Sequence, residues 1–174
     1  MNFSNRFKNG SWLLIINTIL FIGEIMPWFI RINLLKIIGL KAGKSTFLDN
    51  KIYIKYPWKL RIGKNTTINR GVEFYSGVKS TAKIIIGNNC AIAPNVKFYA
   101  AGHDPDTRNL KDSSADIIIG NNVWIGANSI ILQGVTVGDN AIVGAGSLVN
   151  KDLDRNCIFA GVPAIFKRER VIEK

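Results

Sequence analysis

The only histidine of the chain, His103, lies in a polar stretch that could carry acid–base chemistry. The stretch spans residues 102–116, contains Pro105 and reads GHDPDTRNLKDSSAD. An imidazole titrates near neutral pH, so it can take a proton from an attacking hydroxyl group. A lone histidine in a polar loop is more often merely solvated. Because loops on a rigid scaffold commonly carry function, His103 is nevertheless the first candidate for a catalytic base.

Other groups that often carry chemistry are sparse. The two cysteines, Cys90 and Cys157, form no C-x-x-C pair and cannot build a disulfide framework. Together with a single histidine they argue against a structural zinc site, and we expect no metal. We expect Cys90 to be a small buried hydrophobe and Cys157 to take no part in catalysis.

The charge of the chain is large and unevenly distributed. The 174 residues carry a formal net charge of +11, with 47% apolar and 20% charged residues, which suits one globular domain rather than a disordered chain. Residues 1–64 hold eleven basic and two acidic residues, a net +9. Such a chain favours an anionic partner: nucleic acid, a membrane surface or a phosphorylated small molecule. The basic segment lacks a stacking platform and a helix-turn-helix pattern, so we expect no nucleic-acid partner.

Residues 11–39 are strongly apolar and predict two helices that meet near Pro27. Glu24 interrupts the apolar run, so a single membrane-spanning helix is not expected. No small-residue cleavage site follows, as a secretory signal would require. Two placements remain open. The helices either pack on the domain or a neighbouring subunit, or lie in a membrane interface with cationic residues at the headgroups.

From Ile62 onward, an aliphatic residue or phenylalanine recurs at every sixth position, with two restarts. The positions of this register are Ile62, Ile68, Phe74, Ile86, Ile92, Phe98, Ile119, Ile125, Ile131, Val137, Val143 and Val149. Glycine often follows directly, asparagine recurs three positions on, and a small or β-branched residue comes four positions on. Glycine and asparagine tolerate the left-handed backbone conformation that tight corners need. The pattern predicts an all-β solenoid with three faces per 18-residue coil, each coil depending on its neighbours.

The register breaks in two places. The first break lies at about residues 76–83, where one coil is six residues longer than the regular 18. Residues 102–116 form a longer excursion, which holds His103 and is expected to protrude from the solenoid as a loop.

Four blocks of sequence resemble the hexapeptide-repeat acyltransferases. They are IGNNCAIAPNV (86–96), GHDPDTR (102–108), IGNNVWIGANSIILQGVTVGDNAIVGAGSLVNKD (119–152) and AGVPA (160–164). Their order and spacing are similar to those of sugar O-acetyltransferases of the galactoside and maltose type. The His-Asp segment is more like enzymes of capsule, colanic acid or lipopolysaccharide pathways. The resemblance implies a left-handed parallel β-helix (43–164) with an N-terminal helical segment (1–42) and a C-terminal tail (165–174).

The resemblance also implies acetyl-CoA-dependent transfer to a sugar hydroxyl, in clefts between the subunits of a homotrimer. His103 matches the general base of the family, and no covalent intermediate is expected. The residues that match the CoA groove are Trp124, Ala127, Ala145, Asn150, Lys151 and Arg168. The chain departs from the family pattern where Ala127 replaces a serine, Asn150 a threonine and Ile165 a basic residue. The backbone N–H of Gly126 is a candidate oxyanion donor.

On the acceptor side, the sequence departs from the galactoside type. Those enzymes hold sugar hydroxyls with an asparagine and an aspartate. In this sequence, Glu73 replaces the asparagine and Thr81 replaces the aspartate. The change argues against a simple galactoside or maltose acceptor. We expect Glu73, Tyr75 and Asn95 to line a different sugar pocket, and Asp104 to orient the imidazole or cap the loop beside it.

Other functions stay open at this point. Within the same fold, the acceptor could be the amino group of an amino sugar, a serine or an antibiotic, and a noncatalytic solenoid scaffold is a further alternative. The basic, apolar N-terminus favours a lipid-linked sugar of surface polysaccharide assembly over a soluble drug. We therefore expect a cytoplasmic enzyme, which would work at the inner face of the cytoplasmic membrane if residues 1–40 lie in the interface.

Overall fold

The six-residue register folds into a parallel β-helix with three flat faces, as the sequence predicts. The computed structural model describes residues 3–78 and 80–172, of which residues 3–10 and 24 are described by their backbone only. Residues 1–2 of the predicted N-terminal segment and 173–174 of the predicted tail lie outside the described residues.

Short strands, mostly of two or three residues, stack in register on each face. The first face holds Lys41–Ala42, Leu60–Ile62, Ile84–Ile86, Ile117–Ile119 and Thr136–Val137. The second holds Phe47–Leu48, Thr67–Ile68, Ala91–Ile92, Trp124–Ile125, Ile142–Val143 and Cys157–Ala160. The third holds Tyr53–Ile54, Glu73–Tyr75, Lys97–Tyr99, Ile130–Leu132 and Leu148–Val149. A final strand, Ile165–Glu169 in the predicted tail, runs antiparallel to Cys157–Ala160 and closes a C-terminal hairpin.

The core of the solenoid is the predicted inward row. Every one of the twelve positions in the six-residue register is at most 4% exposed. The rings of Phe74 and Phe98 stack on each other with their centroids 5.0 Å apart. The small positions four residues on, such as Thr66 and Ser147, are also buried, and Thr66 Oγ1 donates to the carbonyl of Gly87 at 2.9 Å. The inward residues of successive coils thus form one continuous core, in which each coil depends on the coils above and below it.

The corners repeat as regularly as the faces. Asn65, Asn89 and Asn122 have φ angles of 54°, 55° and 56°, in the left-handed region that asparagine tolerates. Their side-chain amides form a ladder, in which Nδ2 of each donates to Oδ1 of the next at 3.2 Å. Beside this ladder the backbones approach so closely that a Cβ on Gly87 would lie 2.4 Å from the oxygen of Gly120. The Gly-Asn spacing in the sequence therefore follows from stacking the corners.

One further coil precedes the repeat that begins at Ile62. Its inward residues, Ala42, Leu48 and Ile54, are also six residues apart, and Leu48 and Ile54 are at most 1% exposed. A 3₁₀ turn at Pro57–Lys59 then shifts the register by two residues. The shift hides this coil from a search for one continuous period.

All departures from the regular coil lie at one corner, between the third and first faces, here called the loop corner. In successive coils, it carries the 3₁₀ turn, the shorter excursion (described at 76–78 and 80–83) and the longer excursion 102–116. The excursion folds into a hairpin of Ala101–His103 and Asp112–Ser114, so it protrudes as predicted but is more ordered than an irregular loop.

The apolar N-terminal segment forms two helices, as predicted: α1 (Phe3–Ile25) and α2 (Trp28–Ile37), with Pro27 between them. Ile16, Ile32 and Leu35 are buried in the same core as the solenoid, so both helices pack on the domain. Within the part of the chain that the structure describes, no helix has the length and hydropathy needed to cross a membrane.

Arg31 of α2 holds the two helices onto the first coil. Its Nε donates to the carbonyl of Gly23 at 2.8 Å, and its Nη2 to that of Met26 at 3.3 Å. Its Nη1 donates to the carbonyl of Leu48 at 3.3 Å and to that of Asp49. The side chain is 8% exposed, so Arg31 is a structural residue and not one of the headgroup-facing cations that the sequence suggested.

We expect Arg31→Met to lower the free energy of unfolding by about 2–4 kcal/mol, because buried carbonyls lose a charged donor. Chemical denaturation followed by circular dichroism measures the change. The matched control is Arg61→Met on an exposed first-face position, for which we expect a change below about 0.5 kcal/mol. Equal stability of the two variants would contradict this role for Arg31.

Candidate active site

His103 ends the first strand of the protruding hairpin and faces solvent, with 60% of its side chain exposed. The hairpin pairs His103 with Asp112 and Gly102 with Ser113. Gln133 of the solenoid holds the hairpin in place, because Nε2 of Gln133 donates to the hydroxyl of Ser113 at 2.8 Å. The histidine is thus held on an ordered strand rather than on a free loop.

The backbone determines which ring nitrogen of His103 carries the proton. Nδ1 lies 2.8 Å from the carbonyl oxygen of Leu110. A carbonyl can only accept, so Nδ1 must be the donor in this contact. In the neutral ring Nε2 then has no proton and presents a lone pair. This is the form that a general base requires.

Two carboxylates accompany the histidine, in different roles. Asp112 Oδ1 lies 3.5 Å from Nδ1 of His103, but its side chain is 87% exposed. Asp104 caps the turn that follows: its Oδ1 accepts from the N–H of Asp106 at 3.0 Å, and its carbonyl from the hydroxyl of Thr107 at 3.0 Å. Of the two roles expected for Asp104, the structure supports the loop cap.

A cavity of about 730 Å³ lies beside His103 at the loop corner. Residues 76–78 and Ser80 form one side, the hairpin forms the other, and Tyr75 and Tyr99 of the third face lie between them. These two rings stack with centroids 5.0 Å apart. The shorter excursion and the longer excursion therefore form one cavity together, because each of them supplies lining residues.

Glu73 supports the cavity through Tyr75. The Tyr75 hydroxyl donates to Glu73 Oε2 at 2.7 Å, and Lys97 pairs with Glu73 Oε1 at 3.4 Å. The hydrogen bond to Glu73, followed by burial, raises the pKa of Tyr75 well above its usual value. The phenol stays neutral, and its oxygen can still accept a hydrogen bond from a ligand in the cavity.

The charged groups in the cavity lining are mainly basic. Lys55 and Lys111 line it together with His103, and Asp112 is the acidic residue among the described lining residues. Lys59 lies behind the wall, where it donates to the carbonyls of Gly77 and Ser80 and holds the excursion in place. Burial, and then the charge of Lys55, lower the pKa of Lys59. The cavity therefore presents cations and hydroxyl groups together.

The six residues expected at CoA lie elsewhere in the chain. Trp124 is 52% exposed on the second face. It lies in one row across the strands with Arg168, because the paired residues run in the order Trp124, Ile142, Ile158 and Arg168. Three strand spacings separate the two ends of this row, or roughly 14 Å. Within the described residues, the second face and the cavity are separate surfaces of one chain.

The other CoA candidates divide between two corners. Ala127 and Ala145 stack at the corner between the second and third faces, where the N–H of Gly146 donates to the carbonyl of Ala127 at 2.8 Å. Asn150 and Lys151 follow the last strand of the third face, at the loop corner. None of the six CoA candidates is among the described residues that line the His103 cavity, although Asn150 and Lys151 lie at the same corner.

One expectation from the sequence is contradicted by the backbone, and another has no support from the cavity lining. The N–H of Gly126 already donates to the carbonyl of Val143 at 2.8 Å, so its prediction as the oxyanion donor is wrong. Of the three residues expected to line a sugar pocket, Tyr75 lines the cavity, whereas Glu73 lies behind it and Asn95 is not in the lining. Asn95 occupies a corner with φ of 60°, which explains the residue type without a ligand. Its role in acceptor binding stays a prediction without structural support.

Cys90 is buried, as expected for a structural residue. Cys90 is 2% exposed, and burial raises the pKa of its thiol, which disfavours a nucleophilic thiolate. Among the residues that the structure describes, no group of three or more His, Cys, Asp or Glu side chains could hold a metal ion.

Comparison with known proteins adds the family. The model for bacterial transferase hexapeptide (six repeats) matches residues 116–151. Galactoside O-acetyltransferase of Escherichia coli K12 is 37% identical over 142 residues, covering 80% of this chain and 68% of that protein. The putative colanic acid biosynthesis acetyltransferase WcaF of the same organism is 33% identical over 141 residues, covering 81% and 75%.

This chain is a hexapeptide-repeat acetyltransferase.

A solved structure agrees with this assignment. The hexapeptide-repeat-containing acetyltransferase VCA0836 of Vibrio cholerae, complexed with acetyl coenzyme A, superposes with a TM-score of 0.83 and 27% identity, over 94% of this chain and 89% of that one. The fold of this hexapeptide-repeat acetyltransferase is therefore the left-handed parallel β-helix, and its activity is acyl transfer of the sugar O-acetyltransferase type.

Several residues of the site escaped the sequence analysis. Tyr99 was detectable, because Tyr75 and Tyr99 each follow an inward phenylalanine of the repeat. Two partners of His103 had no periodic signal: the side chain of Asp112 and the carbonyl of Leu110. They contact the histidine only because the hairpin pairs its two strands. Lys55 lies in the coil that the register search missed.

The geometry predicts that Asp112 matters little for the histidine of this hexapeptide-repeat acetyltransferase. Because the Leu110 carbonyl already orients Nδ1 and Asp112 is solvated, we expect Asp112→Asn to reduce kcat/KM by less than about tenfold. Steady-state kinetics measure this, with Asp106→Asn as the control outside the cavity lining. A loss of a thousandfold would show that a carboxylate–histidine pair is essential.

Proposed function

We propose that the protein transfers acetyl from acetyl-CoA to a hydroxyl group of a sugar, with His103 as the general base. The observation that carries the proposal is the contact from Nδ1 of His103 to the Leu110 carbonyl. In the neutral ring this contact leaves Nε2 without a proton, and the residue lines a cavity of about 730 Å³. The cavity is large enough for a sugar ring, and its tyrosines and serines suit sugar hydroxyls.

The reaction is direct and needs no acyl-enzyme. The acceptor oxygen attacks the thioester carbonyl carbon while Nε2 of His103 takes the hydroxyl proton. The tetrahedral intermediate collapses as the C–S bond breaks, and the departing sulfur receives that proton from the imidazolium. The products are a sugar acetyl ester and CoA thiol, and His103 is neutral again. The buried thiol of Cys90 has no step to perform.

The donor groove would be completed by a second copy of the chain. Trp124, Ala127 and Ala145, with the cations Lys151 and Arg168, are proposed to bind acetyl-CoA, whose phosphates suit cationic side chains. Asn150 lies beside Lys151 and belongs to the same set. Because these residues do not face the His103 cavity within one chain, a homotrimer with donor and acceptor sites in the clefts between subunits accounts for their separation.

The acceptor is proposed to be a sugar of a surface polysaccharide, carried on a lipid at the inner face of the cytoplasmic membrane. The similarity to WcaF, a putative colanic acid biosynthesis acetyltransferase, supports the pathway class. The helical segment 1–42 and the solenoid 43–164 would then divide the work, the first locating the enzyme and the second performing the transfer, with the tail 165–174 adding Arg168.

Replacement of the histidine tests the mechanism. We expect His103→Ala to lower kcat/KM by about 10²–10⁴, the usual contribution of a positioned base. The release of CoA thiol is measured with a chromogenic thiol reagent, over a panel of sugars. Arg108→Ala, on the same excursion but outside the cavity lining, is the matched control and should keep its activity. Undiminished thiol release by His103→Ala would remove His103 from the mechanism.

The charges of the cavity predict its preference. Because Lys55 and Lys111 face the same space, acceptors with a carboxylate or phosphate should react better than the matched neutral sugars. For such acceptors, we expect Lys55→Gln to raise KM about tenfold, with little effect on neutral ones. Lys44→Gln, an exposed corner lysine, is the control. A preference for neutral acceptors that Lys55→Gln leaves unchanged would contradict this.

A further inference from the structure

Helix α1 carries apolar side chains on the side that faces away from the solenoid. Ile16 is fully buried against the core, whereas Leu14, Phe21 and Ile25 are 70%, 69% and 80% exposed. At 100° per residue, these three lie within one narrow stripe opposite Ile16. A surface helix normally turns polar residues outward, so this stripe lacks a partner among the described residues.

Among the described residues, Thr18 is a polar residue that borders this stripe, and its hydroxyl group already has a hydrogen-bond acceptor. The hydroxyl of Thr18, one turn after Leu14, donates to the Leu14 carbonyl at 2.8 Å. Helix α2 also carries exposed apolar side chains at both of its ends, with Phe29 51% and Ile37 81% exposed. Both helices therefore expose large apolar side chains.

A cationic groove lies where α2 meets the solenoid. Lys36, Lys41 and Arg61 line it, no acidic residue is among the described lining residues, and its volume is about 550 Å³. Lys41 and Arg61 are neighbours across the first two strands of the first face. None of the three cations forms an ion pair within the described part of the chain. Lys36 directly precedes the exposed Ile37 near the end of α2, so the same helix carries a groove cation and an exposed apolar side chain.

We propose that α1 and α2 lie in the interface of a membrane that contains anionic phospholipids, with phosphate groups of the lipids in the cationic groove. The apolar stripe would enter the acyl-chain boundary while the three cations meet the headgroups. Charge decides between a membrane and a second copy of the chain. A second copy seated on the same surface would place its own cations against these, whereas anionic headgroups neutralise them.

This inference goes beyond acetyl transfer and does not depend on it. It states where the protein binds, and it holds for any acceptor in the His103 cavity. Binding can therefore be measured without substrate, so that failure of the membrane contact and failure of the enzymatic assignment give different results.

The test is co-sedimentation of the full chain with vesicles of phosphatidylcholine alone or with about 30% phosphatidylglycerol, a typical anionic fraction. We expect binding to the mixed vesicles, weakened by salt, and at least tenfold weaker binding to phosphatidylcholine alone. Phe21→Glu/Ile25→Glu should lose at least tenfold in affinity, because it places two charges in the apolar stripe. Val171→Glu, an equally exposed apolar position far along the chain, is the matched control.

The groove is tested separately. We expect Lys36→Glu/Arg61→Glu to lower affinity for mixed vesicles by at least 25-fold, about fivefold per cation lost and more for reversal. Arg155→Glu, exposed on a corner, should bind normally. Thermal unfolding confirms that each variant is folded.

Three outcomes would overturn the proposal. The first is an absence of binding by the parent protein, and the second is equal binding by the parent and both double variants. The third is a change in oligomeric state of the stripe variant, seen by light scattering, without any vesicle binding by the parent. That result would show that the stripe is an interface between protein chains.

Discussion

The constraint on which the structure depends is that each coil must stack its corners directly on those of the next. At the Gly87 corner the backbones approach within a distance that no side chain could occupy, since a Cβ there would meet the carbonyl of Gly120. The same stacking aligns the asparagine amides into a ladder and the inward residues into a continuous core. A coil cannot lengthen on a face without breaking all of these contacts at once. Extra residues can leave the solenoid only at a corner.

The site follows from where the extra residues leave. Both long excursions occupy the loop corner, in consecutive coils, and the chain uses solenoid side chains to hold each of them. Lys59 donates to carbonyls of the shorter excursion, and Gln133 donates to Ser113 of the hairpin. The space between the two excursions becomes the cavity, and the backbone of the hairpin orients His103. A repetitive scaffold thus produces a specific site by breaking its repeat at one place.

Features that a local pattern encodes were predictable from the sequence, whereas contacts that form only after distant segments meet were not. The twelve inward residues, the two helices around Pro27 and the excursion with His103 were all predictable, because local periodicity and turn chemistry determine them. The first coil escaped because the turn at Pro57–Lys59 shifts its register by two residues. The Leu110 carbonyl reaches His103 only after the hairpin pairs, which no local pattern encodes. For Asn95 the residue type was informative, but it reflected a left-handed corner and not a ligand.

The basic N-terminal third shows why a net charge cannot be assigned to one partner. Arg31 is buried and its charge is satisfied by backbone carbonyls that hold the helices on the first coil. Lys59 is likewise turned inward, behind the cavity wall. Lys36, Lys41 and Arg61 converge on a groove, whereas Lys55 faces the cavity. Cations of one sequence segment therefore hold the fold together, line the His103 cavity and line a separate groove. Lys36 of the groove shares helix α2 with exposed apolar side chains, and this combination is what a surface that meets lipids would need.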